Sequence, residues 1–141
     1  RIERPETTDV PMVGYIEEVV VSGTSGSEQV YAKSDTGATR SSLDTGLAAD
    51  IGAGPIKSKT RVKSGSSKSG RSRPVVDLVI GVGGTQHTVT ASVEDRSHME
   101  YPLLLGRDIL QHYRVDVRRR ADSDTRPPRE GEEVLEEEEE E

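Results

Sequence analysis

One short run of residues combines an acid, a hydroxyl and a glycine at the end of an alternating segment. Val30 to Ser34 alternates apolar and polar residues, which predicts a β-strand, and Asp35-Thr36-Gly37-Ala38 follows it directly. Glycine permits a tight bend, so the strand would end in a turn that presents the Asp35 carboxylate to a cleft. Such a carboxylate can act as a general base on water. The alternative is an ordinary strand-to-loop turn with a solvated aspartate, and the tripeptide alone favours that alternative.

A second Asp-Thr-Gly lies nine residues later, at 44–46. The residues that follow, 47–52, predict one or two helical turns, with Asp44 as the N-cap and Gly52 just past the helix end. The two copies are too close together for each to head its own lobe. We therefore assign chemistry to Asp35 and helix capping to Asp44.

A third feature completes the set. Leu103-Leu104-Leu105 predicts a short buried strand, and Gly106-Arg107-Asp108 leads into residues 107–113, whose apolar positions have helical spacing.

The remaining elements are hairpins. Strands are predicted at 12–21 and 28–34, around a turn at 22–27, and at 73–82 and 85–93, joined by Gly83-Gly84. A short extended piece is predicted at 41–43 and a last strand at 114–118. Residues 57–73 carry seven basic residues and no acid, and the Ser/Gly-rich middle, 64–70, is predicted to be mobile.

The order of these motifs resembles the retropepsins, the single-lobe aspartic proteases, over about residues 11–118. Residues 95–108 and 73–76 look most like a prokaryotic retropepsin-like family named ATP-dependent zinc proteases, linked to a ligase that adds glutamates to a ribosomal protein. The chain has no phosphate-binding Gly-Lys-Ser/Thr loop, and its three histidines (87, 98 and 112) lack metal-ligand spacing. We expect aspartyl chemistry with no metal and no cofactor.

The resemblance implies an all-β, single-lobe, retropepsin-like closed β-barrel with one short C-terminal helix, active as a two-fold homodimer. Its chemistry needs two carboxylates that share one proton: one activates water while the other polarises the peptide carbonyl. One chain supplies only Asp35, so the second Asp35 would come from a second chain across a two-fold axis. A sparse core, with 30% apolar and 3% aromatic residues, also favours a second subunit.

The resemblance also implies residue roles. The expected catalytic group is Asp35, Thr36 and Gly37, with Thr36 bonding across the dimer. Gly106 and Arg107 would brace the turn, and Asp108 would cap the helix. The expected substrate-binding residues are Ala38, Thr39, Arg40, Ser66, Ser67 and Lys68, the last three at the tip of a flap spanning about 57–73. The implied organisation is a flexible arm at 1–10, the domain at 11–118 and a disordered acidic tail at 119–141.

The charge is divided unevenly along the chain. The net charge is −7, but nine glutamates lie in residues 130–141, which leaves 17 acids and 19 bases, a net of +2, for residues 1–129. Arg40 and the basic flap favour an acidic or glutamate-rich substrate, whereas the alternative is a solvated basic loop. The tail is either a solubilising appendage or an imitation of acidic substrate that occupies the basic cleft.

Two other functions stay open. The domain could be a non-catalytic retropepsin-like module for peptide binding or assembly, or residues 57–73 could bind nucleic acid, which the scarcity of aromatic residues disfavours. There is no cysteine and no apolar run of membrane-spanning length, about 20 residues. No signal peptide is visible, although the chain begins at Arg1, so we expect a cytoplasmic protein that does not bind membranes.

Overall fold

A computed structural model describes the backbone of residues 10–62 and 71–123, and their side chains except those of 56–62 and 71. Most of the predicted arm, the flap tip and the tail beyond residue 123 lie outside the described residues. Within these ranges the chain forms eight strands and two short helices. They are β1 Met12–Ser22, β2 Ser27–Ser34, β3 Ser42–Asp44, α1 Thr45–Ile51, β4 Ile56–Val62, β5 Arg71–Val82, β6 Thr85–Glu94, β7 Leu103–Leu105, α2 Arg107–Leu110 and β8 Arg114–Arg120.

Six of these strands close into a barrel in the order β1-β2-β7-β3-β6-β5, because β5 pairs with both β6 and β1. β4 lies beside β5 and β8 lies beside β1. The predicted closed β-barrel is confirmed. Among the described residues no helix combines the length and the apolar character needed to cross a bilayer.

The core follows from the two-residue period of the strands. Val76, Leu78, Ile80 and Val82, predicted to share one face of β5, are all buried in the core. Alternate residues of β1 and both ends of β7 face the same interior. The core residues are Val13, Val19, Val21, Ala32, Leu43, Leu47, Ala48, Ile51, Val76, Leu78, Ile80, Val82, Ala91, Val93, Leu103, Leu105, Ile109 and Leu110.

The sequence did not predict β4. Its residues, 56–62, pair antiparallel with the first half of β5, so that Thr60 lies opposite Arg73 and Val62 opposite Arg71. β5 therefore also begins two residues earlier than predicted. The reason is that β4 lies at the end of the strand order and is rich in Lys, Ser, Thr and Arg, which gives little hydrophobic alternation. Residues 63–70 join the two strands.

The C-terminal elements also differ from prediction at their ends. α2 stops at Leu110 instead of Tyr113, although the amides of His112 and Tyr113 still bond back to Ile109 and Leu110 at 3.1 and 3.0 Å. β8 runs to Arg120, two residues further than predicted. Beyond it the Ala121 amide donates to the Ile16 carbonyl at 2.9 Å.

Candidate active site

The Asp35 turn follows β2 and is held by its own backbone and by β7. The Asp35 amide donates to the Leu105 carbonyl at 2.9 Å, and the Ala38 amide donates back to the Asp35 carbonyl at 3.2 Å. One carboxylate oxygen, Oδ1, accepts from the Gly37 amide at 2.9 Å. Among the described residues the other oxygen, Oδ2, has no hydrogen-bond partner. The turn thus fixes the carboxylate and leaves one oxygen available.

The two predicted motifs lie side by side. β2 and β7 pair in parallel, with Ser34 opposite Leu105, so Asp35 and Gly106 leave the sheet at the same edge. Parallel pairing can join segments distant in sequence because a long connection returns the chain to the same direction. The meeting of these two segments, expected from the sequence, is therefore found in the structure.

Gly106 allows the Asp35 loop to pass close to β7. A Cβ atom at this position would lie 2.6 Å from the carbonyl carbon of Arg40 and 3.0 Å from the carbonyl oxygen of Ala38, both backbone atoms. Backbone atoms cannot turn aside as a flexible side chain can. Any larger residue would push the loop away from the barrel.

Arg107 binds the loop through three hydrogen bonds. Its amide donates to the Ala38 carbonyl at 2.8 Å. Its guanidinium donates to the Thr36 carbonyl at 2.9 Å and to the Thr39 hydroxyl at 3.0 Å. With both terminal nitrogens engaged in these bonds, the geometry is that of a brace for the turn.

Asp108 holds the residue that ends the loop, Ser41. Oδ2 of Asp108 accepts from the Ser41 amide at 2.9 Å, and Oδ1 accepts from the Ser41 hydroxyl at 2.7 Å. The Ser41 hydroxyl also accepts from the Gly106 amide at 3.1 Å. The N-cap position of α2 is Gly106 and not Asp108. The Asp108 carboxylate nevertheless accepts from the Ile109 amide in the first turn of α2, at 2.9 Å, in addition to its two bonds from Ser41.

Ser41 was missed by the sequence analysis. It is completely buried, and its amide and hydroxyl bond to Gly106 and Asp108, which follow β7. Its carbonyl accepts from the Ser92 amide of β6 at 3.0 Å. The sequence offered only a weak signal, a hydroxyl residue just before a short strand, at the end of the loop that follows Asp35. Only the fold brings it beneath the turn.

Asp44 has a different task. Its Oδ2 accepts from the amides of Gly46 and Leu47 at 3.0 and 3.4 Å, and α1 ends at Gly52, whose φ is +67°. The predicted helix caps are both confirmed. Oδ1 of Asp44 accepts from the Arg96 amide at 2.8 Å, so both carboxylate oxygens serve the scaffold.

Arg96 is a second residue that sequence reasoning did not single out. It is 1% exposed, its Nε donates to the Tyr101 carbonyl at 3.0 Å, and a terminal nitrogen lies 3.5 Å from Glu94. Glu94 also forms an ion pair with Arg73 of β5. These contacts fix the connection between β6 and β7, which precedes the Gly106 loop.

The predicted substrate-binding residues divide between two parts of the chain. Thr39 and Arg40 are exposed and Ala38 is half-buried, all on the loop that Arg107 grips. Ser66, Ser67 and Lys68 lie outside the described residues. Within the part of the chain that the structure describes, no three His, Cys, Asp or Glu residues form a cluster that could hold a metal ion.

Comparison with known families decides the relationship. The model of the RimB-like family, described as retropepsin-like aspartic endopeptidase RimB, matches residues 48–125. The chain belongs to the RimB-like family. The match includes Gly106, Arg107 and Asp108 and begins after the Asp35 turn.

Two solved structures with TM-scores of at least 0.50 agree on the fold, and a third similar structure scores slightly lower. A Legionella pneumophila protein of unknown function, Lpg0085, is 24% identical, with 78% of this chain and 95% of that chain covered and a TM-score of 0.54. The simian foamy virus protease is 18% identical over 68% of this chain and 91% of its own, with a TM-score of 0.50. The EIAV protease, solved with the inhibitor HBY-793, is 23% identical over 68% and 84%, with a TM-score of 0.48. No curated protein matches the chain.

Proposed function

We propose that this RimB-like protein is an aspartic endopeptidase whose two catalytic carboxylates are the Asp35 side chains of a two-fold homodimer. The observation that carries the proposal is the Asp35 turn, in which one carboxylate oxygen is fixed by the Gly37 amide and the other is unpaired among the described residues. Loop 36–41 is tied to Gly106, Arg107 and Asp108, which fall within the family match.

The proposed reaction follows from the chemistry of two close carboxylates. Two such groups cannot both ionise, so the pair holds one proton and titrates as a unit. The ionised member takes a proton from water, and the hydroxide equivalent attacks the peptide carbonyl, whose oxygen is polarised by the protonated member. Collapse of the tetrahedral intermediate with proton transfer to the leaving nitrogen gives a carboxylic acid and an amine.

Each subunit needs the other because a chain has one such turn. Thr36 and Gly37 are exposed beside Asp35, so a second copy can approach the turn along a two-fold axis. Thr36 would then bond across the axis and keep both carboxylates level. Sedimentation at increasing protein concentration tests this step: a monomer throughout the range would contradict it.

We further propose an acidic, glutamate-rich substrate. Arg40 is exposed on the same loop as Asp35, whereas the terminal nitrogens of Arg107 are occupied by the loop. Residues 57–73 add seven bases and no acid. Opposite charges raise the rate of encounter and penalise basic competitors. Peptides of equal length with Glu or Gln flanks test this: equal cleavage at low salt would contradict it.

The decisive experiment compares Asp35→Asn with the full wild-type chain on a peptide library at pH 4 to 7. Asparagine keeps the shape of the side chain but cannot act as a base. Loss of cleavage with retained dimerisation supports catalysis by Asp35. If the wild-type chain binds these peptides and cleaves none, the domain is a peptide-binding or assembly module.

A further inference from the structure

Three ring side chains meet between β6 and the end of α2. The Nε2 atom of His87, on β6, lies 2.6 Å from the hydroxyl oxygen of Tyr113. The His87 and His112 rings stack with centroids 5.5 Å apart and an interplanar angle of 18°. The sequence shows these histidines 25 positions apart and without recognisable spacing, so only the fold reveals the pair.

Two of these residues, His112 and Tyr113, closely follow the short segment that holds the Asp35 loop. The amides of His112 and Tyr113 bond back into α2, whose four residues are Arg107–Leu110. Arg107 and Asp108, at the other end of this segment, hold Thr36 and Ser41. A displacement of the rings would therefore be transmitted through barely two turns of chain.

The contact changes when the imidazole gains a proton. Burial raises the pKa of the Tyr113 phenol, although Thr85 opposes this, so the phenol keeps its proton near neutrality. An Nε2 atom without a proton accepts from the phenol, whereas a protonated Nε2 must donate to the phenol oxygen. Protonation of His87 therefore reverses this bond and turns the phenol proton away from the ring.

The surrounding charges act in opposite directions on His87. Burial lowers its pKa below 6.5, and a positive charge on His112 lowers it further, while Asp108 raises it. Glu17 of β1 acts on the far partner, raising the pKa of Tyr113. Asp108, whose charge acts on His87, is also the acceptor for Ser41, so the carboxylate links the charge of the imidazole to the residue that ends the loop.

We propose that His87, His112 and Tyr113 form a proton-sensitive contact that positions α2, and through α2 the loop that carries Asp35. With His87 neutral, the rings pack and Asp108 holds Ser41. Protonation reverses the bond with the Tyr113 phenol, places like charges on stacked rings and loosens the loop. The effect on catalysis rests on the proposed peptidase function; the positioning itself does not.

The direction of the pH effect follows from linkage. An unfolded chain binds a proton at His87 near its ordinary pKa of 6.5, and the folded chain binds it only at lower pH. The unfolded state thus holds more protons within that window, so stability is lost as pH falls below about 6.5. A peptidase active through a shared proton would for this reason lose its positioned loop on the acid side of its range.

The test uses the full chain and its three histidines. We would record, by NMR from pH 7.5 to 5.0, the histidine ring signals and the backbone amides of Ser41 and Gly106 in the wild type, in His87→Gln and in His98→Gln. We expect both amides to titrate with the midpoint of His87 in the wild type and in the His98→Gln control, and to be insensitive in His87→Gln. The melting temperature should fall by several degrees over this range in the first two proteins and less in the third.

The outcomes are separable. Amides that titrate at another midpoint, or a pH dependence of melting unchanged by His87→Gln, would overturn the inference. Should His87→Gln fail to fold, His112→Gln serves in its place: it should raise the midpoint of His87, and an unchanged midpoint overturns the proposal. A wild type that titrates as expected but cleaves no peptide would refute the proposed peptidase and leave the positioning contact established.

Discussion

Replacing Ser41 by alanine should lower the free energy of unfolding far more than the loss of a single hydroxyl suggests. The side chain is completely buried, and its oxygen both donates to Asp108 at 2.7 Å and accepts from the Gly106 amide at 3.1 Å. A hydrogen bond to a charged group contributes about 1.5–3 kcal/mol, and a buried amide left unpaired costs about 1–3 kcal/mol. These two costs are not fully additive, because both arise from the same missing hydroxyl. We therefore expect the free energy of unfolding to fall by roughly 2–4 kcal/mol.

Ser92→Ala is the matched control. Ser92 is 4% exposed and lies in the same sheet, but its hydroxyl pairs at 3.0 Å with the uncharged hydroxyl of Ser42. Its loss should cost only about 0.5–1.5 kcal/mol. Urea unfolding of the wild type and both variants, at one fixed protein concentration, measures the difference. Two variants within about 0.5 kcal/mol of each other would refute the role assigned to the Asp108 charge.

The same pair of variants tests whether Ser41 positions the loop that carries Asp35, on the basis of the proposed peptidase function. At a temperature where Ser41→Ala is still folded, kcat should fall at least about tenfold, which corresponds to about 1.4 kcal/mol of lost transition-state stabilisation. Ser92→Ala should keep its kcat. Full retention of kcat in folded Ser41→Ala would show that the Asp35 turn holds its geometry without this brace.

Three further predictions concern other parts of the chain. Asp35→Asn should abolish peptide cleavage with an unchanged melting temperature, measured by cleavage and melting. Asp44→Asn should keep at least a tenth of the turnover and destabilise the fold by about 1–3 kcal/mol, because the amide nitrogen of Asn would face one of the backbone amides that Asp44 binds. Burial raises the pKa of Asp122, but the bonds from Arg120 and Tyr101 outweigh it and leave the pKa below its ordinary 3.8. The stability that this group contributes is present above pH 3.8 and is lost as pH falls through the lower pKa of the folded state. Acid unfolding of Asp122→Asn should therefore be less steep than that of the wild type. A chain ending at Arg129 should cleave acidic peptides faster than the full chain at low salt, with the difference shrinking as salt rises; equal rates at low salt would leave the tail a solvated appendage.

The sequence was most informative where hydrophobic period and motif agreed. Asp35 ends an alternating strand and Gly106 follows three leucines, so both the barrel strands and the meeting of the two motifs could be predicted. The caps of α1 were equally accessible, since Asp44 and Gly52 are residues with strong positional preferences.

The parts that escaped prediction depend on tertiary contacts. β4 is polar along its length, and only the neighbouring β5 makes it a strand. Ser41 and Arg96 are polar residues that the fold buries, and a sequence does not show which hydroxyl or guanidinium will find its partners inside. Asp108 was expected to serve the start of α2, and it does accept from the Ile109 amide, but its bonds from Ser41 were not predicted, because an acid at the start of a helix suits a cap as well as a tertiary contact.

The parallel pairing of β2 with β7 has a consequence for the protein while it is being synthesised on the ribosome. The groups that shape the loop after Asp35 lie far along the chain, with Thr36 and Arg107 separated by 71 positions. Contacts of such long range form late, since the intervening chain must first lose its freedom. During synthesis the acidic turn would emerge from the ribosome long before Leu105 and α2 exist to shape it. Under the proposed peptidase function, a nascent chain is thereby incapable of cutting its neighbours until nearly the entire domain has been made and folded.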